Sequence, residues 1–515
     1  MNDTNALSIT RPLIVASLAL IATLTPNLAA DWPTDPASPL IIGQAEGFFG
    51  PRISATSTDD HATWIAWQDS FCVGTLRLQR ISLDGQLMSP IGISIQEDPT
   101  CGNTTPPVLL GSSNSAIATR SGSSLVEYPL QRLNPDGSLL WPDGFAAPSP
   151  QGLRISGITE LSNGDTLIVS AFSTTIRFDR VDESGKSVWK NQSIIGTGTG
   201  SNFRVFSVVP DPAGGAYIFW DSFLTYTKLI GCMRIDDQGN QAWDAPVRLF
   251  DPFGITSSRH SDPVAVSDGA DGAMIVWTHG FESGSTPAPQ RVQHILPDGS
   301  LTFPIDGLRV SLETDRQFNA DVQTDPATGD LFIVWRDGFG PDMTLNAQRY
   351  SISGERLWGD TGVEIAPIHP TTGSFDTLWH NNQLSIAIAD PNGAKIHNID
   401  GDGFSTPQPW TLSSAGPAVD IQISKSADGI VAVWQADGPD LNDLVVAQRI
   451  NPDGSLGNQI CQADLNADGD LNFFDISAFI IALNASAPAA DFNNDGLFNF
   501  FDVSAFLQAF AAGCP

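Results

Sequence analysis

Positive charge is scarce in this chain. Its 515 residues hold 25 Lys and Arg against 57 Asp and Glu, a formal net charge of -32. That balance argues against nucleic acid, and against an anionic membrane surface, as the main partner; it would attract divalent cations instead. Catalytic signatures are missing as well. The seven histidines form no HExxH and no metal-ligand spacing, no GxSxG turn occurs, and no Gly-rich phosphate loop is present. Beyond the first thirty residues, no run is long and apolar enough to span a bilayer.

What is present is turn chemistry. The chain carries 47 Gly and 36 Pro, interleaved with short alternating strand formers, which indicates a mainly β protein with many turns. Residues 1–30 stand apart as a secretory signal peptide. Arg11 precedes the apolar run "LIVASLALIATL", and small residues follow, placing cleavage near Ala29 or Ala30. The run has about 12 residues, short of the ~20 that cross a membrane. The expected product is secreted or held at the cell surface, with no membrane span after cleavage. In an exported chain, cysteines are disulfide candidates. The expected pairs are Cys461–Cys514 and Cys72–Cys101, with Cys232 unpaired and buried.

The middle of the chain repeats. "TWIAWQD" is followed by "LRLQRISLDG", "DLFIVWRDG" by "LNAQRYSISG", and "GIVAVWQADG" by "VVAQRINPDG". The turn glycines are taken as Gly85, Gly137, Gly185, Gly239, Gly299, Gly354, Gly401 and Gly454, spaced by 47 to 60 residues. Five residues earlier stands Arg80, Arg132, Arg180, Arg234, His294, Arg349 or Arg449, with His397 one place short in the seventh unit. Four residues later stands Trp141, Trp189, Trp243, Phe303 or Trp358. A unit of about 50 residues with three or four strands suits one blade of a β-propeller. Eight units predict eight blades over residues 31–458. The last unit lacks its final strand, and residues 38–45, "SPLIIGQA", are expected to supply it and close the ring. Recurrence in every unit favours a blade-building role for the Arg/His and Trp positions over ligand contact. The turns match neither the sialidase Asp-box nor the Gly-His and Trp-Asp pairing of WD40 blades.

Residues 459–515 differ. "DLNADGDLNFFD" begins at Asp464, and "DFNNDGLFNFFD" begins 27 residues later at Asp491. Oxygen side chains fall at loop positions one, three, five, nine and twelve: Asp464, Asn466, Asp468, Asn472 and Asp475, then Asp491, Asn493, Asp495, Asn499 and Asp502. Asp470 and Leu497 stand at position seven, where the backbone carbonyl ligates. This is the ligand order of an EF-hand calcium loop, and it predicts two calcium ions. The segment holds seven carboxylates and no Lys or Arg. Ion binding is therefore expected to be coupled to folding. One apolar helix follows each loop.

Two such loop–helix units with Asp at position twelve resemble a type I dockerin. The "FFD[IV]SAF" wording and the closing "GCP" are similar to the Gly-Cys-ending dockerins of planctomycete secreted proteins. The resemblance covers Gln459–Pro515. It implies a small α-helical calcium module that binds a cohesin-like protein or surface scaffold. In cellulosomal dockerins, loop positions ten and eleven help choose the partner. Here these are Phe473, Phe474, Phe500 and Phe501, which either face a partner or pack beneath the helices. Ile476, Ser477, Val503 and Ser504 are further partner-binding candidates.

The expected function is non-catalytic: an exported binding or display protein tethered through its C-terminal module, with a carbohydrate as a candidate propeller ligand. The alternative is a carbohydrate-active enzyme on the propeller, a glycoside hydrolase or polysaccharide lyase acting in polysaccharide breakdown. A structural cell-surface protein is the second alternative. Paired carboxylates meeting in the propeller funnel would favour the enzyme, but none can be picked out among so many acids.

Overall fold

A computed structural model describes residues 32–512 apart from 46–52, 69–74, 91, 98–107, 113–114, 120–129, 142–153, 173–174, 190–191, 196–200, 225–226, 250–257, 282–287, 314–315, 415, 438–442, 458–462, 466–470, 486, 491 and 493–496. The signal peptide lies outside the described residues, as do Cys72, Cys101, Cys461 and Cys514.

The described strands form eight antiparallel sheets, seven of four strands and one of three. One edge strand of each sheet belongs to an inner ring: Ile53–Ser57, Val108–Ser112, Arg154–Glu160, Ser201–Pro210, Ser258–Ser267, Gln317–Thr324, Ser374–His380 and Ala418–Ser426. Each contacts the next, and the eighth contacts the first. The protein is therefore mainly β, an eight-bladed propeller closed on itself.

The second strand of each blade explains the repeat's wording. "TWIAWQ" (Thr63–Gln68) and "LFIVWRD" (Leu331–Asp337) are buried at every residue. Neighbouring blades cover both faces of such a strand, so continuous apolar runs replace alternation. The hydrophobic core is accordingly divided into clusters lying between blades. One joins Trp67 and Ile81 of the first blade to Val431 and Val445 of the eighth. Another joins Phe332 and Val334 of the sixth to Ile386 and Ile399 of the seventh.

The eighth blade draws its outer strand from the other end of the chain. Leu40–Ala45 pairs antiparallel with Asp443–Ile450, with Leu40 opposite Ala447 and Ala45 opposite Asp443. Ile42 is fully buried there. Gly43 lies against the indole of Trp67, and any side chain at that position would collide with the ring.

One register differs from the sequence expectation. The seventh blade turns at Gly403, with φ 90°, and the Gly403 N–H donates to Asp400 O. Gly401 does not hold the turn position. Asn398, opposite Ser385, therefore occupies the Arg place, and His397 is offset from it. "DGDG" offers two glycines, and only the second completes the four-residue turn.

The C-terminal segment is a separate helical unit. Helices Phe473–Asn484 and Phe500–Ala512 enclose a core of Ala463, Phe479, Ala490 and Phe506. Among the described residues, no helix is long and apolar enough to cross a membrane.

Candidate functional site

The repeated residues build blades. In the seven blades that keep it, the Arg or His position lies on the third strand, beside the turn joining the first two. Arg234 Nη2 meets Asp211 at 2.6 Å, Arg349 Nη2 meets Asp330 at 2.8 Å, and Arg449 Nη2 meets Asp428 at 3.0 Å. Arg80 and Arg180 hold Asp60 and Asp165 in the same way. His294 Nε2 lies 2.9 Å from Asp268. Burial pushes the Asp268 carboxyl up, but the His294 bond and the Ala270 and Gly272 N–H groups outweigh it and hold the pKa below its ordinary value. Arg132 departs from the pattern and donates to Ser115 Oγ at 2.9 Å.

The Trp positions join blade to blade. Trp141, Trp243 and Trp358 donate Nε1–H to Glu183 O, Pro297 O and Gly401 O of the following blade, at 2.9 to 3.1 Å. Each indole lies beneath the next blade's turn glycine. At Gly185, φ is 85° and a Cβ would stand 2.9 Å from Trp141, so both conformation and space require glycine. Cys232 is a free, fully buried cysteine, and burial pushes its thiol pKa well up.

The ring does bring carboxylates together, on a pair of residues that no motif marks. Asp321, on the inner strand of the sixth blade, and Asp376, on that of the seventh, come together on the wall of one cavity. Asp321 accepts from Thr377 N at 3.0 Å, Thr377 Oγ1 at 2.7 Å and Val322 N at 2.8 Å. Asp376 accepts from Ile423 N of the eighth blade at 2.7 Å. Both residues are half-buried. Burial raises both pKa values, and the charge of Asp321 raises that of Asp376 further. Two carboxyls so close disfavour both being charged at once. They border a cavity of about 390 Å³ together with Arg336, Phe375, Asn319 and Ser374.

The C-terminal segment has near two-fold symmetry. Phe479 and Phe506 are 27 residues apart in sequence, and their rings stack with centroids 4.1 Å apart and planes 1° from parallel. Asp475 and Asp502 are fully buried. Their Oδ2 atoms accept from Asn472 N at 2.9 Å and Asn499 N at 2.8 Å. Asn472 and Asn499 in turn accept from Phe474 N and Phe501 N, each at 2.8 Å. These reciprocal caps start the two helices. Of the twelve expected calcium ligands, Asn466, Asp468, Asp470, Asp491, Asn493 and Asp495 lie outside the described residues. Among the described residues, no group of three or more His, Cys, Asp or Glu side chains could hold a metal. The donors that are described fit a hard cation: all are oxygens, and two are buried carboxylates in a segment without Lys or Arg.

The Phe pairs are surface residues. Phe473, Phe474, Phe500 and Phe501 are 74, 67, 75 and 68% exposed. Ile476 and Val503 instead pack partly against the module core, and Ser477 and Ser504 are half-buried beside them.

These features define a class, an eight-bladed propeller with an appended helical pair. No family model matches the chain, and no curated protein matches it. Solved structures with some likeness include a polysaccharide lyase, Uly1, at 10% identity and a TM-score of 0.44, covering 71% of this chain and 94% of that one. An ulvan lyase of a new polysaccharide-lyase family has 11% identity and a TM-score of 0.45, covering 72% and 96%. A Lactobacillus plantarum protein has 15% identity and a TM-score of 0.39, covering 60% and 84%. Likeness at this level does not bear on function.

Proposed function

We propose that this is an exported display protein, in which the propeller is the binding domain and residues 459–515 are a dockerin-like tether. An N-terminal signal peptide exports it, and a cohesin-like surface or scaffold protein holds it. The observation that carries this proposal is the doubled aromatic surface, in which Phe473–Phe474 and Phe500–Phe501 stand exposed at equivalent places about the Phe479–Phe506 stack. Exposed large apolar residues grouped in this way mark contact surfaces. Asp464, Asn466, Asp468, Asp470, Asn472 and Asp475 would hold one calcium ion; Asp491, Asn493, Asp495, Leu497, Asn499 and Asp502 would hold the other. Bound calcium would neutralise the loop carboxylates and fix the start of each helix.

Surface plasmon resonance against a captured surface partner tests the doubling. Replacing Phe473 and Phe474 by Ala should weaken binding only slightly, because the second copy remains. Replacing all four Phe residues should abolish it. Loss on changing one pair alone would refute a doubled site, and no loss on changing all four would refute the surface itself.

A hydrolase or lyase is the second reading, favoured by the Asp321 and Asp376 carboxyls that meet on the wall of one cavity. Turnover assays on polysaccharides, with Asp376→Asn as the comparison, separate the two.

A further inference from the structure

We infer that the cavity between the fifth, sixth and seventh blades binds one neutral sugar unit, with the Asp321–Asp376 pair and Arg336 as its polar wall and Phe375 on its apolar side. The cavity is of about 390 Å³, within the range of roughly 300–1,000 Å³ usual for small-molecule sites. Its position breaks the symmetry of the ring. Arg336 follows the central Trp335 of its blade, and the equivalent residues elsewhere are Gln68, Asp221, Thr278 and Gln435. A feature that served only to build blades would recur, as the Arg349 and Trp358 positions do.

Arg336 is under-used by the protein. It is 9% exposed and forms no ion pair among the described residues. One nitrogen donates to Gly373 O, Nη1 has only Met343 Sδ at 3.9 Å, and Nε has no partner. A buried guanidinium so poorly satisfied is costly unless something else engages it. Its carbon lies 5.7 Å from the Phe375 ring centre, which sets the charged group and the aromatic side by side.

The charges select the ligand class. The two carboxyls and the Arg336 guanidinium all line the cavity, so its wall carries groups of both signs. An anionic ligand would meet a carboxylate, and a cationic one would meet the guanidinium. A neutral polyhydroxylated ring needs both donors and acceptors, and the wall has both. Ser374 Oγ accepts from Ile421 N at 3.1 Å, which leaves its own hydrogen for donation. Asn319 is exposed on the cavity wall, where its side-chain amide can both donate and accept. The apolar lining of Val264, Ala320 and Phe375 suits the C–H face of a sugar ring.

This site depends on the propeller being the binding domain and is independent of the tether. Saturation-transfer NMR and calorimetry on the full chain would use the methyl glycosides of glucose, galactose, mannose and rhamnose as probes. Glucuronate and glucosamine serve as charged comparators. At least one neutral glycoside should bind at millimolar concentration. Arg336→Gln and Asp376→Asn should each weaken it by roughly tenfold or more, the scale of one charge-assisted hydrogen bond. Asp376→Asn keeps an acceptor for Ile423 N–H, so it carries the test if Arg336→Gln fails to fold. Three results would overturn the inference: no neutral glycoside binds, a charged comparator binds more tightly than every neutral probe, or binding survives both substitutions. A chain that binds calcium but no glycoside loses this site and keeps its tether.

Discussion

Trp32 donates its indole N–H to Leu83 O at 2.9 Å, reaching from the start of the described chain to the first blade. It does for the eighth blade what Trp358 does for the sixth. Gln448 confirms the equivalence: its Nε2 donates to Pro33 O, just as Gln348 Nε2 donates to Gly359 O at 2.8 Å. The N-terminal segment thus contributes a strand and a blade-joining Trp to the seam of the ring.

Trp32 is 2% exposed, so Trp32→Ala should leave a void at that seam. The expected cost is about 3–5 kcal/mol. Differential scanning calorimetry should show the propeller melting several degrees lower. An unchanged melting temperature would mean that the seam does not limit stability.

Arg349 joins its own blade to the next, through Asp330 at 2.8 Å and Gly401 O at 2.8 Å. Arg349→Ala leaves the Asp330 carboxylate largely buried without its cation. The loss should be about 3–5 kcal/mol, and adding Asp330→Asn should recover part of it. A double-mutant cycle by urea unfolding measures the recovery. Strict additivity would contradict the coupling.

The acid pair predicts a pH dependence of definite sign. Asp321 and Asp376 titrate above their ordinary values in the folded ring. Their contribution to stability is therefore greatest below the unfolded carboxylate pKa and is lost as pH rises through the folded values. Asp376→Asn imitates the protonated form. It should raise the melting temperature at neutral pH, with the gain fading as pH falls toward about 4, the ordinary carboxylate range. A gain that persists in acid would show that repulsion is not its source.

How much of this could be read beforehand follows from periodicity. The Arg234 and Trp243 positions are legible because most blades use the same turn tie and several the same joint, so the residues recur at a fixed spacing. Gly403 is not legible as the turn glycine because adjacent DG pairs offer two registers, and only the backbone hydrogen bond from Gly403 to Asp400 decides between them. Asp321 and Asp376 are 55 residues apart on strands with no shared motif. Their meeting depends on blade-to-blade packing, which a linear pattern does not record. Exposure of Phe473 and Phe500 could not be settled from residue type either, since loop-end aromatics serve cores and surfaces alike.

The central claim is that a doubled calcium module holds the propeller out from a partner. Calorimetric titration of calcium into the metal-stripped full-length chain tests it most directly. Two ions per chain should bind; Asp475→Ala should remove one, and Asp475→Ala with Asp502→Ala should remove both. No calcium binding, or binding indifferent to both substitutions, would contradict the account.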